Sequence, residues 1–335
     1  MAYMKISKVL IPTDFSENSK KALRALRIFI DHFDCKADLI HVVPLSAYLN
    51  DSISKLGLPL DMGADIYPKI AEEAKKRLQA FSEEYLDKNS TGNLIVEIDR
   101  KASNSILQHA EKGNYDMIIM SARGGHSTDF LHGSTTEKVV RNSKIPVLAL
   151  INEFHYDKIK TILVPTDISD FSFEVVPVAF EMANKFNASL NFLNIVELYN
   201  SGMFMEPIDS QEHSEKINSF NKEHLYSGLM DRLEKFFKEN TQDQFSIKRN
   251  DEPFYDEIVK TTGTESISIP VRTVIKKGMV AHDDIIDYAN DYADMVIMST
   301  HGRTGLSRFF LGSTAEKITR NLESPLLTLK PEPKS

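Results

Sequence analysis

A chain of 335 residues is long enough for two or so domains, each with its own core. Its net charge of −8 comes from acidic residues spread along the whole length, which excludes the concentrated basic stripe of a nucleic-acid-tracking surface. The single cysteine excludes an internal disulfide, and neither a run of roughly 18 apolar residues nor a basic-then-apolar export pattern is found, so the expectation is a soluble, cytoplasmic protein in a reducing compartment, with no membrane contact.

In chain order, β-branched apolar runs predict strands near 7–12, 37–43, 94–99, 116–120 and 146–150. Between them apolar residues recur at spacings of three and four, as in Leu23, Leu26 and Ile30, and predict helices near 17–33, 66–88, 103–113 and 134–142. Cys35 falls at a helix end and is read as packing rather than chemistry. The segment 151–158, INEFHYDK, marks a boundary, and beyond it strands are expected near 160–165, 189–195, 271–276, 294–298 and 325–329. VLIPT, MIIM and MVIM are apolar on both faces, as a parallel sheet covered by helices requires. Alternating strands and helices of this length give an α/β architecture of two tandem doubly wound parallel-sheet domains, Rossmann-like, with the ligand site at the carboxyl ends of the strands where strand order reverses.

The two halves are copies. KVLIPTDFSENSKKAL at 8–23 matches TILVPTDISDFSFEVV at 161–176; YDMIIMSARGG at 115–125 matches ADMVIMSTHGR at 293–303; HGSTTEKVVRNSKIPVLAL at 132–150 matches LGSTAEKITRNLESPLLTL at 311–329. The domains are therefore expected at 1–152 and 153–335. The second copy is longer between its first and fourth strands, and the extra segment is placed at about 240–270. That segment is polar, with a short apolar stripe of Phe254, Ile258 and Val259, and is read as a solvated insertion, with a lid or partner-docking element as the alternative.

Chemistry is suggested by the stretch Ser299 to Lys317. Gly302 and Gly312 enclose nine residues, and Ser313 with Thr314 then opens an amphipathic segment, so hydroxyls and free backbone N–H groups gather at a helix start, where a phosphate is favoured. In the first copy Gly124 and Gly133 enclose only eight residues, and Asp129 stands about where the second copy has Arg308. One residue fewer shifts the donors by up to roughly 3.3 to 3.6 Å, more than a hydrogen bond tolerates.

Taken together, the PTD after the first strand, the MSxxG after the fourth, the Gly-Ser before a TEK or AEK helix and the final P-x-L strand resemble the universal stress protein family, in a tandem arrangement covering nearly all of both halves. The resemblance implies an adenine nucleotide alpha hydrolase-like fold and binding of ATP, with any Mg2+ carried by the nucleotide. Onto this sequence it carries adenine contacts at Pro165, Asp167 and Ile195, with Thr166 between them; the ribose near Asp167, Met298 and Ser299; and the phosphates at Gly302, Gly312, Ser313 and Thr314, with Arg303 and Arg308 adding positive charge. Ser299 stands where nucleotide-binding members have glycine. The corresponding first-copy positions are Pro12, Thr13, Asp14, Val42, Met120, Ser121, Gly124, Gly133, Ser134 and Thr135, expected to bind weakly or not at all. The resemblance also implies that PVLAL at 146–150 and PLLTL at 325–329 pair within one molecule as a pseudo-dimer, further homo-oligomerisation and protein partners being left open.

Structural alternatives stand beside these readings. Asp14 and Asp167, or Ser16 and Ser169, can simply cap the helices that follow, and Gly312-Ser313-Thr314 can be a plain strand-to-helix turn. His126 and His301 read as solvated loop residues. His282-Asp283-Asp284 reads as a helix N-terminal cap rather than a metal site, since three successive helical residues point three ways, and no metal is expected. No G-x-x-x-x-G-K-[ST], G-x-S-x-G or C-x-x-C motif is found. The expectation is a regulatory or stress-adaptation protein rather than an enzyme, a weak ATPase or phosphotransferase and a nucleotide-free scaffold being the rivals.

Overall fold

The structure, a computed structural model, describes residues 6–45, 62–122, 134–197, 221–242, 244–300 and 313–331. The chain divides into two compact units, Lys5–His155 and Tyr156–Ser335. The first contains β1 (Lys8–Pro12), α1 (Glu17–Phe33), β2 (Lys36–Pro44), a π-helical turn (Met62–Ile66), α2 (Tyr67–Tyr85), β3 (Thr91–Asp99), α3 (Ala102–Lys112), β4 (Met117–Ser121), α4 (Ser134–Asn142) and β5 (Val147–Leu150). Its strands run parallel in the order β3-β2-β1-β4-β5. Val9, Leu10, Ile11 and Met117 to Met120 are buried, which is why these strands carry no polar face.

Helix α1 shows how sequence becomes packing. Ser16 accepts a hydrogen bond from the Ser19 N–H at its start, Glu17 complements the dipole, and Asp34 ends it in the left-handed region at φ 51°. Ala22, Leu23, Ala25, Leu26 and Phe29 form the buried stripe, each large side chain worth about 1.5–3 kcal/mol of burial. Cys35 follows, buried, and its burial pushes the thiol up to about 11, so it packs as a small apolar group. Residues after β5 return to α1: Phe154 lies 5.7 Å from Phe29, Lys21 Nζ donates to the Ile151 carbonyl at 2.9 Å, and Arg24 pairs with Glu153. The first half of the expected boundary segment is thus packed chain. At the opposite end of the strands from the candidate site, the buried Asp38 carboxylate accepts from Tyr115 Oη at 2.6 Å and from the Asn93 N–H at 2.7 Å. Burial opposes its charge, but these donors and Lys8 outweigh it and hold the carboxyl below its ordinary range.

The second unit contains β6 (Thr161–Pro165), α5 (Asp170–Phe173), α6 (Val176–Phe186), β7 (Ser189–Glu197), α7 (Lys222–Asn240), β8 (Phe245–Arg249), β9 (Tyr255–Thr262), β10 (Glu265–Gly278), α8 (Ala281–Tyr292), β11 (Met295–Ser299), α9 (Ser313–Asn321) and β12 (Leu326–Leu329). Within it the order is β12-β11-β6-β7-β10-β9-β8. The first five positions are parallel, and β9 and β8 are added antiparallel beyond β10. Where the first unit has one helix, the second has α5 and α6, because Pro177 near the start of α6 has no N–H to donate back and its ring collides with the preceding turn.

The insertion differs from the solvated segment expected at 240–270. It is sheet: β8 and β9 pair from Phe245 to Arg249, and a two-residue loop with Gly263 at φ 63° turns β9 into a β10 that starts at Glu265 rather than near 271. Phe245 packs against Phe180 at 5.2 Å and Phe237 at 5.4 Å, and Ile258 is buried, so one face of the addition belongs to the core. In both units the strand start is pinned the same way. Asp116 Oδ2 accepts from the Ser7 and Lys8 N–H groups, and Asp294 Oδ2 from those of Lys160 and Thr161.

Candidate functional site

Strand order reverses between β1 and β4 in the first unit and between β6 and β11 in the second, so a crevice opens at the carboxyl ends of those strands. In the second unit β6 ends at Pro165 and the Thr166 N–H donates to the Leu193 carbonyl at 2.9 Å, carrying the sheet one residue further. Thr166 Oγ1 shares a 2.7 Å hydrogen bond with Ser172 Oγ and accepts from the Ile168 N–H at 3.0 Å. Asp167 Oδ1 accepts from the N–H and Oγ of Ser169, at 3.1 and 2.5 Å. Ser169 Oγ in turn accepts from the Ser172 N–H at 3.2 Å. The cap of α5 is therefore Ser169, and Asp167 orients that cap instead of serving as one.

Ile168 takes φ 65°, a conformation a β-branched residue avoids, at a cost on the order of 1–2 kcal/mol. The bonds on either side of it hold the strained turn. The first unit repeats the turn: Thr13 with Ser19 at 2.9 Å, the Phe15 N–H to Thr13 Oγ1 at 3.0 Å, Ser16 to Asp14 Oδ1, and Phe15 at φ 61°.

Pro165, Thr166 and Asp167 lie at the end of β6; Met298 and Ser299 end the neighbouring β11, both buried; Ile195, half-buried, lies on β7 opposite Lys276 of β10. These six residues sit at the carboxyl ends of adjoining strands. Ser313 and Thr314 open α9, while Gly302, Arg303, Arg308 and Gly312, with His301, lie outside the described residues. In the first unit Pro12, Thr13, Asp14, Val42, Met120 and Ser121 occupy the equivalent places and Ser134 and Thr135 open α4, with Gly124, His126, Asp129 and Gly133 outside the described residues. Asp14 is exposed, whereas Asp167 is half-buried. Thr136 Oγ1 donates to the Ser121 carbonyl at 2.8 Å; Ala315, in the matching place, has no hydroxyl to do so.

A pair of residues not foreseen from the sequence supports the turn from β2 and β7. His41 Nδ1 donates to the Thr13 carbonyl at 2.8 Å, and Asn194 Nδ2 donates to the Thr166 carbonyl at 2.9 Å. Applying the repeat register of the PTD motif to β2 would have aligned them. The His41 ring lies 4.3 Å from that of Phe15, over which Arg77 sits at 4.6 Å, and burial lowers the imidazole's pKa. His282, Asp283 and Asp284 occupy the first turn of α8, whose N-cap is Val280 with no side-chain cap; Glu197 Oε1 instead accepts the Ala281 N–H at 2.9 Å. Among the described residues no cluster of three or more His, Cys, Asp or Glu side chains is arranged to hold a metal ion, and no helix is long and apolar enough to cross a membrane.

A sequence model of the Universal stress protein family matches residues 5–150 and again 158–330. The chain is 22% identical to a Universal stress protein E homolog of Haemophilus influenzae, covering 99% of each chain, and 27% identical to a universal stress protein of Methanocaldococcus jannaschii, covering 51% of this chain and 82% of that one. Among solved structures, a universal stress protein from Archaeoglobus fulgidus superposes with a TM-score of 0.55 at 19% identity, over 97% of this chain and 99% of the other. A functionally unknown protein from Pseudomonas aeruginosa gives 0.59 at 16%, over 98% and 94%; both similarities speak to fold. With the family model satisfied once by each of two α/β units, the chain belongs to the universal stress protein family and carries that family's domain in tandem.

Proposed function

We propose that the second unit binds an adenine nucleotide in the crevice between the ends of β6 and β11, and that this binding serves a regulatory, stress-adaptation role. The observation that carries the reading is the braced turn Thr166 to Ser172. It fixes a half-buried carboxylate, Asp167, at the point of strand reversal, with Ile195 and Met298 giving apolar surface for a base. Small hydroxylated residues open α9, where first-turn amides and the helix dipole favour phosphate. ATP, with Mg2+ carried on its phosphates, fits this donor set: Asp167 and the ends of β6 and β11 would hold the nucleoside, and Ser313, Thr314, Gly302 and Gly312 the phosphates. Bound nucleotide adds negative charge to the crevice and so alters what the unit presents to partners. The first unit is read as a weak or silent site, on its shorter glycine spacing and Asp129.

Native mass spectrometry for retained nucleotide, followed by ATP titration calorimetry, tests the reading. One site per chain is expected, lost by about 100-fold or more in Gly302→Val or Gly312→Val and kept in Gly124→Val, since a side chain there displaces backbone donors. Two equal sites, or no effect of the second-unit variants, would refute the asymmetry. Sustained ATP turnover that vanishes in Asp167→Ala would replace the regulatory role with a catalytic one.

A further inference from the structure

Gly278 ends β10 opposite Glu197, two residues beyond the pairing of Lys276 with Ile195. It is absent from the positive-φ residues, so glycine is present there for space rather than backbone freedom. A Cβ built on it would lie 2.0 Å from Asp284 Oδ2 and 2.8 Å from Ile195 Cγ2. The Asp284 carboxylate, reaching over from the first turn of α8, therefore fills the volume of the missing side chain beside Ile195. In the first unit the same corner is built in the opposite sense. Asp99 ends β3, and its carboxylate accepts from Ser105 Oγ at 2.9 Å and from the Lys101 N–H at 3.1 Å, Ser105 holding the helix position that Asp284 holds in the second unit. The carboxylate has changed element but not place.

What differs is its employment. Asp99 is occupied by its own fold. Asp284 is half-buried, and among the described residues its carboxylate has no hydrogen-bond or ion-pair partner. A carboxylate partly removed from water needs a donor, and when ionised it can only accept. We propose that Asp284 is a specificity-determining residue that reads the base, accepting a hydrogen bond from the exocyclic amino group of adenine; this deepens the nucleotide reading and rests on it. A 6-oxo purine in the same place sets an acceptor against the carboxylate and is rejected.

Titration calorimetry on the full chain with ATP and with inosine triphosphate, which bears an oxo group in place of the amino group, tests this. The unaltered protein is expected to bind ATP at least roughly tenfold more tightly than inosine triphosphate. Asp284→Ala is expected to weaken ATP by about tenfold and bring the ratio near one. Asp284→Asn, whose amide can donate to an oxo group, improves inosine triphosphate, and Gly278→Ala, which keeps the charge but displaces it, reduces the ratio. Should Asp284→Ala fail to fold, the ratio in the other two variants decides. A ratio unchanged in the variants, or no discrimination by the unaltered protein, overturns the role of Asp284 while leaving nucleotide binding intact; absence of binding to either nucleotide overturns both readings.

Discussion

The two units build one turn twice and surround it differently. In each, a threonine braces a serine on the next helix, an aspartate orients the helix cap, and a residue between them is forced to positive φ. Around that shared turn the first unit places His41, Phe15 and Arg77 in an aromatic and cationic stack, with an exposed Asp14; the second places Asn194, Ile168 and a half-buried Asp167. The repeat keeps the backbone device and varies the side chains around it. A turn held by its own hydrogen bonds tolerates such divergence, because its geometry does not depend on what occupies the site.

The strongest way to break the comparison is to remove what the second unit alone possesses. Phe245→Ala deletes the anchor of the added strands against Phe180 and Phe237 and is expected to destabilise the second unit by about 3–5 kcal/mol, leaving the first unchanged. Denaturant unfolding followed by hydrogen exchange on peptides from each unit measures this; no loss in the second unit would show that the addition does not support its core. A smaller effect sharpens the shared part. Ser16→Ala and Ser169→Ala each remove one helix cap and should each cost about 1 kcal/mol, since both caps make the same bond. A clear inequality between them would mean that the turns are alike in outline only.

The third comparison is of pH. His41 has its pKa lowered in the fold, so the unfolded chain binds the proton first as pH falls. The contribution of this histidine is complete above its ordinary value of about 6.5 and is lost as pH falls from there through the lower folded value. His41→Asn, which installs the residue of the second unit, keeps a donor for the Thr13 carbonyl and is expected to flatten this part of the first unit's pH dependence. Thermal melts at a series of pH values between neutrality and mild acid report it; an unchanged slope would assign the acid sensitivity elsewhere.

Much of this was legible in the residues. Ser16 before an apolar stripe places α1 at the observed bounds, because cap and periodicity agree there, and α4 spans the expected 134–142. The positions of Asp14, Asp167 and Ile195 at strand ends followed from the repeat. The added strands did not. Ile267, Ile269, Val271, Thr273 and Ile275 alternate as a strand should, but Pro270 interrupts them, and a proline argues against a central strand. It is tolerated because pairing with β7 begins only at Val271. The helix expected at 66–88 is Tyr67–Tyr85, because Met62–Ile66 forms a π-helical turn and Leu86 is already extended. Gly278 and Asp284 were illegible for a different reason. Their relation is an exchange of roles between strand and helix, visible only once both corners can be compared in space.

The extra strands also change the mechanics of β10. In the first unit β3 is hydrogen-bonded to β2 on one side, the outermost place in its sheet, whereas β10 is flanked by β7 and β9. The ladder to β9 covers Glu265–Arg272 and the ladder to β7 covers Val271–Gly278, so amide hydrogens are tied in both directions where the two overlap, around Val271 and Arg272, and exchange there needs two ladders to part together. The Gly278 end of β10, like the Asp99 end of β3, is held by one neighbouring strand, so the corner that holds Asp284 can open without parting the doubly paired middle of its strand.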